Sequence, residues 1–364
     1  MEVNTLERFK ILQKEFVKAG QDALLVSYPT NRNYLSGFTG SDCMVLVTPK
    51  RGLFITDFRY QQQAYTQCAG FEVEITRHGR GYYQIIKEYC IQDGVKVLAF
   101  EPHHLTMAQY TLMKNVFKGS GINLAPEKYS YVEHLRQIKD LSELKLIQKS
   151  NKVSMEAFEK AVSLIKPGVY ESDVSIAYGA AIRASGASGE SFETILASGP
   201  RSAMPHGVAS RRKMKKGDFV VFDFGALVNR YCSDCTRTFV IGKPSIKQKE
   251  IYAIVLEAQL SALAAVKPGV MCSAVDDIAR KIITSAGYGS NFGHGLGHGV
   301  GMDIHESPRL NNQDKTILKP GMVVTVEPGI YLEGWGGVRI EDLVIVTENG
   351  CKVLTQYSKE LISL

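Results

Sequence analysis

Hydrophobic positions in the first third of the chain fall into short runs rich in β-branched residues, separated by stretches where they recur every three or four residues. DALLVS (22–27), CMVLVT (43–48), GLFITD (52–57), FEVEIT (71–76) and KVLAFE (96–101) predict strands. RYQQQAYTQ (59–67), YYQIIKEYCI (82–91) and TMAQYTLMKNVF (106–117) predict helices between the later strands. This alternation predicts a small α/β domain ending near residue 125. The polar stretch APEKYSYVEHLRQIK follows. Asp140, with Glu143 three residues on, then marks a new helix, because both side chains can satisfy free N–H groups of a first turn. The boundary is placed near 130, giving domains of residues 1–130 and 131–364.

The remainder repeats itself once. AFEKAVSLIKPGV (157–169) resembles AQLSALAAVKPGV, which begins 101 residues later at 258. Each is a helical stretch closed by Pro-Gly, followed by a second helix reaching Gly186 or Gly287. Downstream, GDFVVFD (217–223) resembles GMVVTVE (321–327): a glycine, five mostly apolar strand residues, then a carboxylate. The pattern predicts two related α+β halves about a pseudo-two-fold axis, each delivering an acid from an equivalent strand end, with a site between the halves.

Composition narrows the class. A chain of 364 residues with 45% hydrophobic and 22% charged residues suits a two-domain globular protein. The opening MEVNTLERFKILQKEFVKAG is polar and helix-patterned, unlike a signal peptide, and no run approaches the roughly 18 apolar residues of a membrane span. Seven scattered cysteines argue against a disulfide framework and predict a cytoplasmic protein. The net charge of +6 owes much to RRKMKK (211–216), which has no aromatic platform and predicts a solvated turn rather than a nucleic-acid surface.

Three segments carry chemistry. In VVFDFGALVNRYCSDCTRTFV (220–240), two apolar runs flank a turn at Val228-Asn229-Arg230 and predict a β-hairpin. If the turn centres between 228 and 229, Asp223 faces Asp234 across the ladder. Opposed carboxylates repel, and a shared cation reverses that sign. The bland alternative, two solvated aspartates on an edge hairpin, fits poorly with such apolar flanks. Cys232 and Cys235 look like a CxxC pair, but their spacing along a strand points the thiols to opposite faces.

NFGHGLGHGVGMDIHESPRL (291–310) has glycine at every other position from 293 to 301. In an extended chain this leaves one face bare for close approach by a metal, a substrate or another backbone, with His294 and His298 on the other. Of eight histidines, only His206, His294, His298 and His305 lie beyond residue 150, which weakens the bland alternative of a glycine-rich surface loop. In VVTVEPGIYLEGWGGVRIEDLVIV (323–346), Glu327 ends one strand and Glu341 lies within the next apolar run. A buried Glu341 must be paired, protonated or metal-bound, whereas Asp342 points the other way and suits an ordinary salt bridge. Four carboxylates and one histidine form a hard, oxygen-rich set that suits Mn²⁺ or another first-row divalent ion. Two ions sharing bridging carboxylates balance the four charges better than one.

The blocks FDFG…SDCTRT, HGLGHGVG…HE, VEPGIY and GGVRIED resemble, in order and kind, those of the pita-bread metallopeptidases: methionine aminopeptidase, aminopeptidase P and prolidase. NYLSGFTGSD (33–42) and TDFRY (56–60) resemble the creatinase-type amino-terminal domain, which methionine aminopeptidases lack. The resemblance covers the whole chain and implies an α+β protein, a C-terminal pseudo-two-fold pita-bread fold preceded by a smaller creatinase-type α/β domain. It implies two divalent ions per subunit, Mn²⁺ first with Co²⁺ or Zn²⁺ as alternatives, held by Asp223, Asp234, His298, Glu327 and Glu341. Glu327 is then also the proton shuttle, His206, His294 and His305 position the scissile carbonyl, Arg339 and Tyr331 support the site, and Arg309 meets a substrate carboxylate. The short gap from Glu327 to Glu341 is most similar to short prokaryotic prolidases, so the expected activity is Xaa-Pro dipeptide hydrolysis, with Xaa-Pro aminopeptidase activity on longer peptides as the alternative. The intact ligand set argues against a non-enzymatic partner-binding relative. A homodimer is expected, with residues near Phe38–Asp42 approaching the partner's metal site.

Overall fold

A computed structural model of the protein describes residues 5–364. The first four residues of the helix-patterned opening lie outside this range, and the segment continues as α1 (Thr5–Lys18). The chain divides into two compact units, one ending at Arg136 and the other beginning at Gln137.

In the first unit, β1 (Ala23–Val26), β2 (Cys43–Val47), β3 (Gly52–Thr56), β4 (Glu72–Ile75), β5 (Val97–Phe100) and β6 (Asn123–Pro126) form one mixed sheet in the order β4-β3-β2-β1-β5-β6. Its helices are α2 (Pro29–Ser36), α3 (Gln61–Gln67), α4 (Tyr82–Asp93) and α5 (Met107–Phe117), and α6 (Tyr131–Gln137) carries the chain to the division. Leu25, Leu46 and Leu98 of the sheet pack on Ile85 and Ile86 of α4 and on Met113 of α5. Each such side chain contributes about 1.5–3 kcal/mol by leaving water. The expected strands and α3 to α5 form where the hydrophobic pattern put them. Three elements went unread: α2, β6 and α6.

The segment TNRNYLSGFTGSD (30–42), rich in glycine and small polar residues, reads in the sequence as a loop suited to reaching over a cleft, yet its first part is α2. It is a helix whose polar residues Asn31, Arg32 and Asn33 are buried. Asn31 donates to Glu101, Arg32 to the Ser41 and Cys43 carbonyls, and Asn33 to the Phe38 carbonyl. Phe38 is likewise interior, its ring 4.8 Å from Phe54 and 5.5 Å from Tyr60.

The second unit opens with α7 (Leu141–Val162), capped by the expected reciprocal bonds of Asp140 and Glu143, and α8 (Glu171–Ala184). The strands β7 (Gly189–Glu190), β8 (Ile195–Ser198), β9 (Phe219–Phe224), β10 (Ala226–Val228), β11 (Tyr231–Cys232) and β12 (Cys235–Val240) complete the first half. The second half contains α9 (Ile246–Ala265), α10 (Cys272–Ser285), β13 (Gly297–Gly299), β14 (Glu306–Leu310), β15 (Val323–Val326), β16 (Gly329–Leu332), β17 (Gly336–Arg339) and β18 (Asp342–Val346). Two short strands, β19 (Cys351–Val353) and β20 (Ile362–Ser363), close the chain.

The halves repeat as the sequence predicts. α7 and α8 back a sheet of order β20-β12-β9-β8, while the second half's sheet runs β14-β13-β15-β18-β19 and shares its core with α9 and α10. In the first core Phe158 stacks on Phe224 at 4.1 Å; in the second, Val255 and Ile283 meet Val324 and Val344. The glycines that end corresponding helical segments adopt the same left-handed backbone: Gly168 and Gly269 at φ 90° and 83°, Gly186 and Gly287 at 91° and 89°. Left-handed backbone there favours glycine because other residues would clash at Cβ.

The basic run 211–216 is only partly a solvated turn. Arg212 pairs with Asp218 at 2.6 Å, Met214 is buried, and Arg211 and Lys213 lie over the Tyr170 ring.

Candidate metal centre

The hairpin after β9 differs in register from the expectation. Asn229 and Arg230 take positive φ of 48° and 69°, the signature of a turn whose twist matches its strands. The turn therefore centres one residue later than the sequence reading placed it. Asp223 faces Thr236, and Asp234 sits in the break between β11 and β12. The displacement is two residues, so Asp234 stays on the Asp223 side as a diagonal neighbour. A hydrogen-bonded ladder, not a carboxylate pair, occupies the directly opposed position.

Just beyond β15 and β17, Glu327 and Glu341 enter the same region. Asp234, His298 and Glu341, all buried, each offer a donor atom within 4.8 Å of the others. His298 Nε2 lies 3.5 Å from Asp234 and 3.3 Å from Glu327. Its Nδ1 faces the Gly299 carbonyl at 3.1 Å, which keeps a proton on that side; Nε2 then offers the carboxylates an N–H when the ring is charged and a metal a lone pair when it is neutral. Two threonines that the sequence reading missed set the acids. Thr236 donates to Glu341 at 2.7 Å and Thr325 donates to Glu327 at 3.0 Å. Thr325 carried a signal, as a polar residue inside the apolar VVTV, whereas Thr236 stands beside Arg237 and Thr238 and carried none.

Arg339, 3% exposed, forks through the site. It donates to Asp223 at 2.7 Å, to Thr236 at 3.0 Å, to the Tyr331 hydroxyl at 2.9 Å and to the Pro205 carbonyl at 3.0 Å. Tyr331 in turn faces His294 Nε2 at 2.9 Å, while His294 Nδ1 faces the Gly295 carbonyl at 2.7 Å. Both His294 nitrogens are engaged within the protein. His206 and His305 are exposed, and the His305 ring stands edge-on to His298 at 4.3 Å.

Charge sharpens the picture. Burial, then Glu341 and Asp223, holds the Asp234 carboxyl well above the usual range. Burial and Glu327 do the same to Glu341, and burial raises Asp223 against the pull of Arg339. Glu327 alone is drawn down, to about 2: burial pushes it up most strongly, but its bond and charge attraction to His298, joined by the charges of His294 and Arg339, together outweigh that push. Four carboxylates cannot all ionise here on Arg339 and His298 alone. Asp223 Oδ1 and Glu341 Oε1 are buried without a hydrogen-bond partner. Oxygen-rich donors, uncompensated charge and orphaned acceptors together fit divalent cations.

A cleft of about 800 Å³ opens onto these groups. All eleven residues singled out from the sequence line it: His206, Asp223, Asp234, His294, His298, His305, Arg309, Glu327, Tyr331, Arg339 and Glu341. Apolar Phe192, Ile195, Val208 and Ile304 share the wall, and the sequence gave no cue to them. Asp342 points away and pairs with Arg237 at 3.0 Å and Lys359 at 2.7 Å, the ordinary salt bridge expected of it. Cys232 and Cys235 are buried and free, their thiols directed at the Met302 and Glu341 carbonyls.

The alternating glycines serve neighbouring backbone. A Cβ on Gly297 would meet the Thr325 carbonyl oxygen at 2.1 Å, and one on Gly299 the Ser307 carbonyl oxygen at 2.5 Å. Gly293 faces open space. No helix among the described residues is long and apolar enough to cross a membrane.

Known proteins share this architecture throughout. A Xaa-Pro dipeptidase structure from Bacillus anthracis is 44% identical, with a TM-score of 0.94 over 99% of this chain and 100% of that one. The Xaa-Pro dipeptidase of Pyrococcus furiosus is 38% identical over 98% of this chain and 99% of its own. An X-Pro aminopeptidase structure from Thermotoga maritima is 36% identical, with a TM-score of 0.88 over 98% and 99% of the two chains. Residues 8–138 match the Creatinase/Prolidase N-terminal domain and residues 145–348 match Metallopeptidase family M24. Two related halves converging on a buried acid–histidine cluster, preceded in the sequence by a creatinase-type domain, make this chain a metallopeptidase of family M24.

Proposed function

We infer that the protein hydrolyses the peptide bond before proline in Xaa-Pro dipeptides, using two divalent cations. The carrying observation is that His298 shares one cleft with four carboxylates, three of them buried, with orphaned acceptors on Asp223 and Glu341. Asp223, Asp234 and Glu341 would hold one ion, and His298, Glu327, Asp234 and Glu341 the other. When bound, such ions supply Lewis-acid activation of water and of the scissile carbonyl. Mn²⁺ suits the oxygen-rich donors, with Co²⁺ or Zn²⁺ as alternatives.

The chain's own residues account for the rest. Glu327, ionised more readily than its neighbours, accepts a proton from the attacking water and returns it to the departing prolyl nitrogen. That nitrogen carries no hydrogen in the substrate, so protonation is what lets it leave. His206 and His305, open to the cleft, face the scissile carbonyl as donors, while His294 holds Tyr331 and through it Arg339. Arg309, an exposed cation in the cleft wall, meets the dipeptide carboxylate. The full-length likeness to dipeptidases from two organisms supports the dipeptide, and the likeness to the Thermotoga aminopeptidase supports a second reading in which longer Xaa-Pro peptides are cleaved.

Turnover of a Xaa-Pro dipeptide and a Xaa-Pro-Yaa tripeptide should be compared after chelation and Mn²⁺ addition. Preference for the dipeptide, lost on chelation and regained with Mn²⁺, is expected. Preference for the tripeptide transfers the assignment to an aminopeptidase, and full activity in metal-free protein ends the metal mechanism. Seven free cysteines support a cytoplasmic setting. Exposed Phe58 and Tyr65 on the first unit support a homodimer, which sedimentation at assay concentration tests.

A further inference from the structure

Lys139 is an unusual lysine. Its side chain is fully buried, and its ammonium lies 2.7 Å from the Glu306 carboxylate, itself 8% exposed. Lysine and glutamate are seldom buried unless paired. The ammonium also donates to the Gln137 carbonyl at 3.3 Å, and the Lys139 backbone N–H donates to the Gly321 carbonyl at 3.0 Å. The lysine is thus fixed at both ends.

Glu306 occupies a sensitive place. It opens β14, directly after His305 and three residues before Arg309. The ladder between β13 and β14 is irregular there: His298 faces Arg309, yet the next residue, Gly299, faces Glu306. Ser307 and Pro308 are looped out of register between them. A regular ladder would fix this segment by itself, and an irregular one needs other anchors. Cys232 supplies one, its N–H donating to the Gly301 carbonyl at 2.8 Å and its thiol to the Met302 carbonyl at 3.7 Å. Those bonds hold the start of the loop. At its end, the Glu306 carboxylate folds back over Gly301, where a Cβ would meet it at 2.4 Å.

We propose that Lys139 is a positioning residue for the histidine loop: its buried ammonium clamps Glu306 against Gly301 and so fixes His305 on one side and Arg309 on the other. Neither residue contacts Lys139, and the lysine lies outside the cleft lining. Removing the ammonium takes from the Glu306 carboxylate its 2.7 Å ion pair with Lys139, and the low-cost relief is for residues 301–309 to move outward. A displacement of about 1 Å at a positioning group can lower turnover by about 100-fold.

The part Lys139 plays in turnover rests on the proposed function, whereas its hold on the loop can be measured without substrate. The experiment compares full-length Lys139→Met, Lys139→Arg and wild-type protein by amide hydrogen exchange, metal content after Mn²⁺ loading, and kcat and KM on a Xaa-Pro dipeptide. Expected for Lys139→Met are faster exchange confined to residues 300–309, unchanged Mn²⁺ content, and kcat lower by about 10–100-fold. Lys139→Arg, which keeps the charge, should restore most of both. Unchanged exchange at 300–309 overturns the proposal, and so does faster exchange spread evenly over residues 137–364, which is a loss of general stability. If Lys139→Met does not fold, Glu306→Gln keeps the side chain's size and should give the same confined exchange pattern; wild-type exchange in that variant also overturns it. A wild-type protein that cleaves no Xaa-Pro dipeptide would refute the proposed function while the exchange comparison still decides the clamp.

Discussion

Two histidines whose rings nearly touch are given different tasks by their surroundings. His298 is 7% exposed, points Nε2 at Asp234 and Glu327, and has its other nitrogen on a carbonyl. His305 is exposed to the cleft and meets the cluster only through the edge of His298. His298→Ala should therefore lose bound metal. His305→Ala should keep it while turnover falls by roughly 10²–10³-fold, the usual effect of deleting one preorganised donor. Metal analysis beside kcat separates them, and equal metal loss would merge the two roles. Glu341→Ala should cost both metal and turnover, since Glu341 is buried, shares Thr236 with the Arg339 fork and keeps an unpartnered oxygen toward the site. Normal turnover with two bound ions in that variant would remove it from the ligand set. These side chains were visible in the sequence because a carboxylate or histidine inside an apolar run has few structural uses. Lys139 was not, because its partner lies 167 residues away and neither stands in an apolar run.

Elements were legible where burial follows periodicity. The strands of the first unit and both Pro-Gly helix endings are of that kind. α2 was missed because it buries Asn31, Arg32 and Asn33, so its interior face reads as polar. The hairpin register failed differently. Left-handed backbone at Asn229 and Arg230 cannot be located to a single residue from composition, and a shift of one in the turn moves the pairing by two. An even slip keeps every side chain on its face, which is why Asp234 reached the site although its partner was misjudged. The glycine strand supplies a prediction at this scale. Gly297→Ala should cost about 3 kcal/mol or more and loosen His298, because its Cβ would collide with the Thr325 backbone. Gly293→Ala, facing open space, should be near neutral. Urea denaturation of the two variants, with metal content measured alongside, checks the contrast; equal stabilities would mean that β13 and β15 can part at little cost.

For the molecule as a whole, the first unit holds a group of interacting acids, Glu101, Glu127 and Glu133, that includes none of the proposed metal ligands. Burial, and then Glu101 and Glu133, push the Glu127 carboxyl up to about 8 from an ordinary 4.5. A carboxyl raised by folding keeps its proton in the native state after the unfolded chain has released it. Its stabilising contribution is therefore full below 4.5 and drains away as pH rises toward 8. Glu127→Gln should remove that slope and leave the protein more stable than wild type at pH 8, by on the order of 1 kcal/mol after solvent screening, with little difference at pH 4.5. Denaturation at the two pH values tests the sign. The duplicated second unit has a consequence in time rather than in energy. One half carries Asp223 and Asp234, and the other carries His298, Glu327 and Glu341, so under the proposed ligand assignment neither half can grip a cation before the two have met. A contact absent from the transition state slows escape without hastening arrival. Added Mn²⁺ should therefore lengthen the lifetime of the native protein in denaturant while its refolding rate stays where it was.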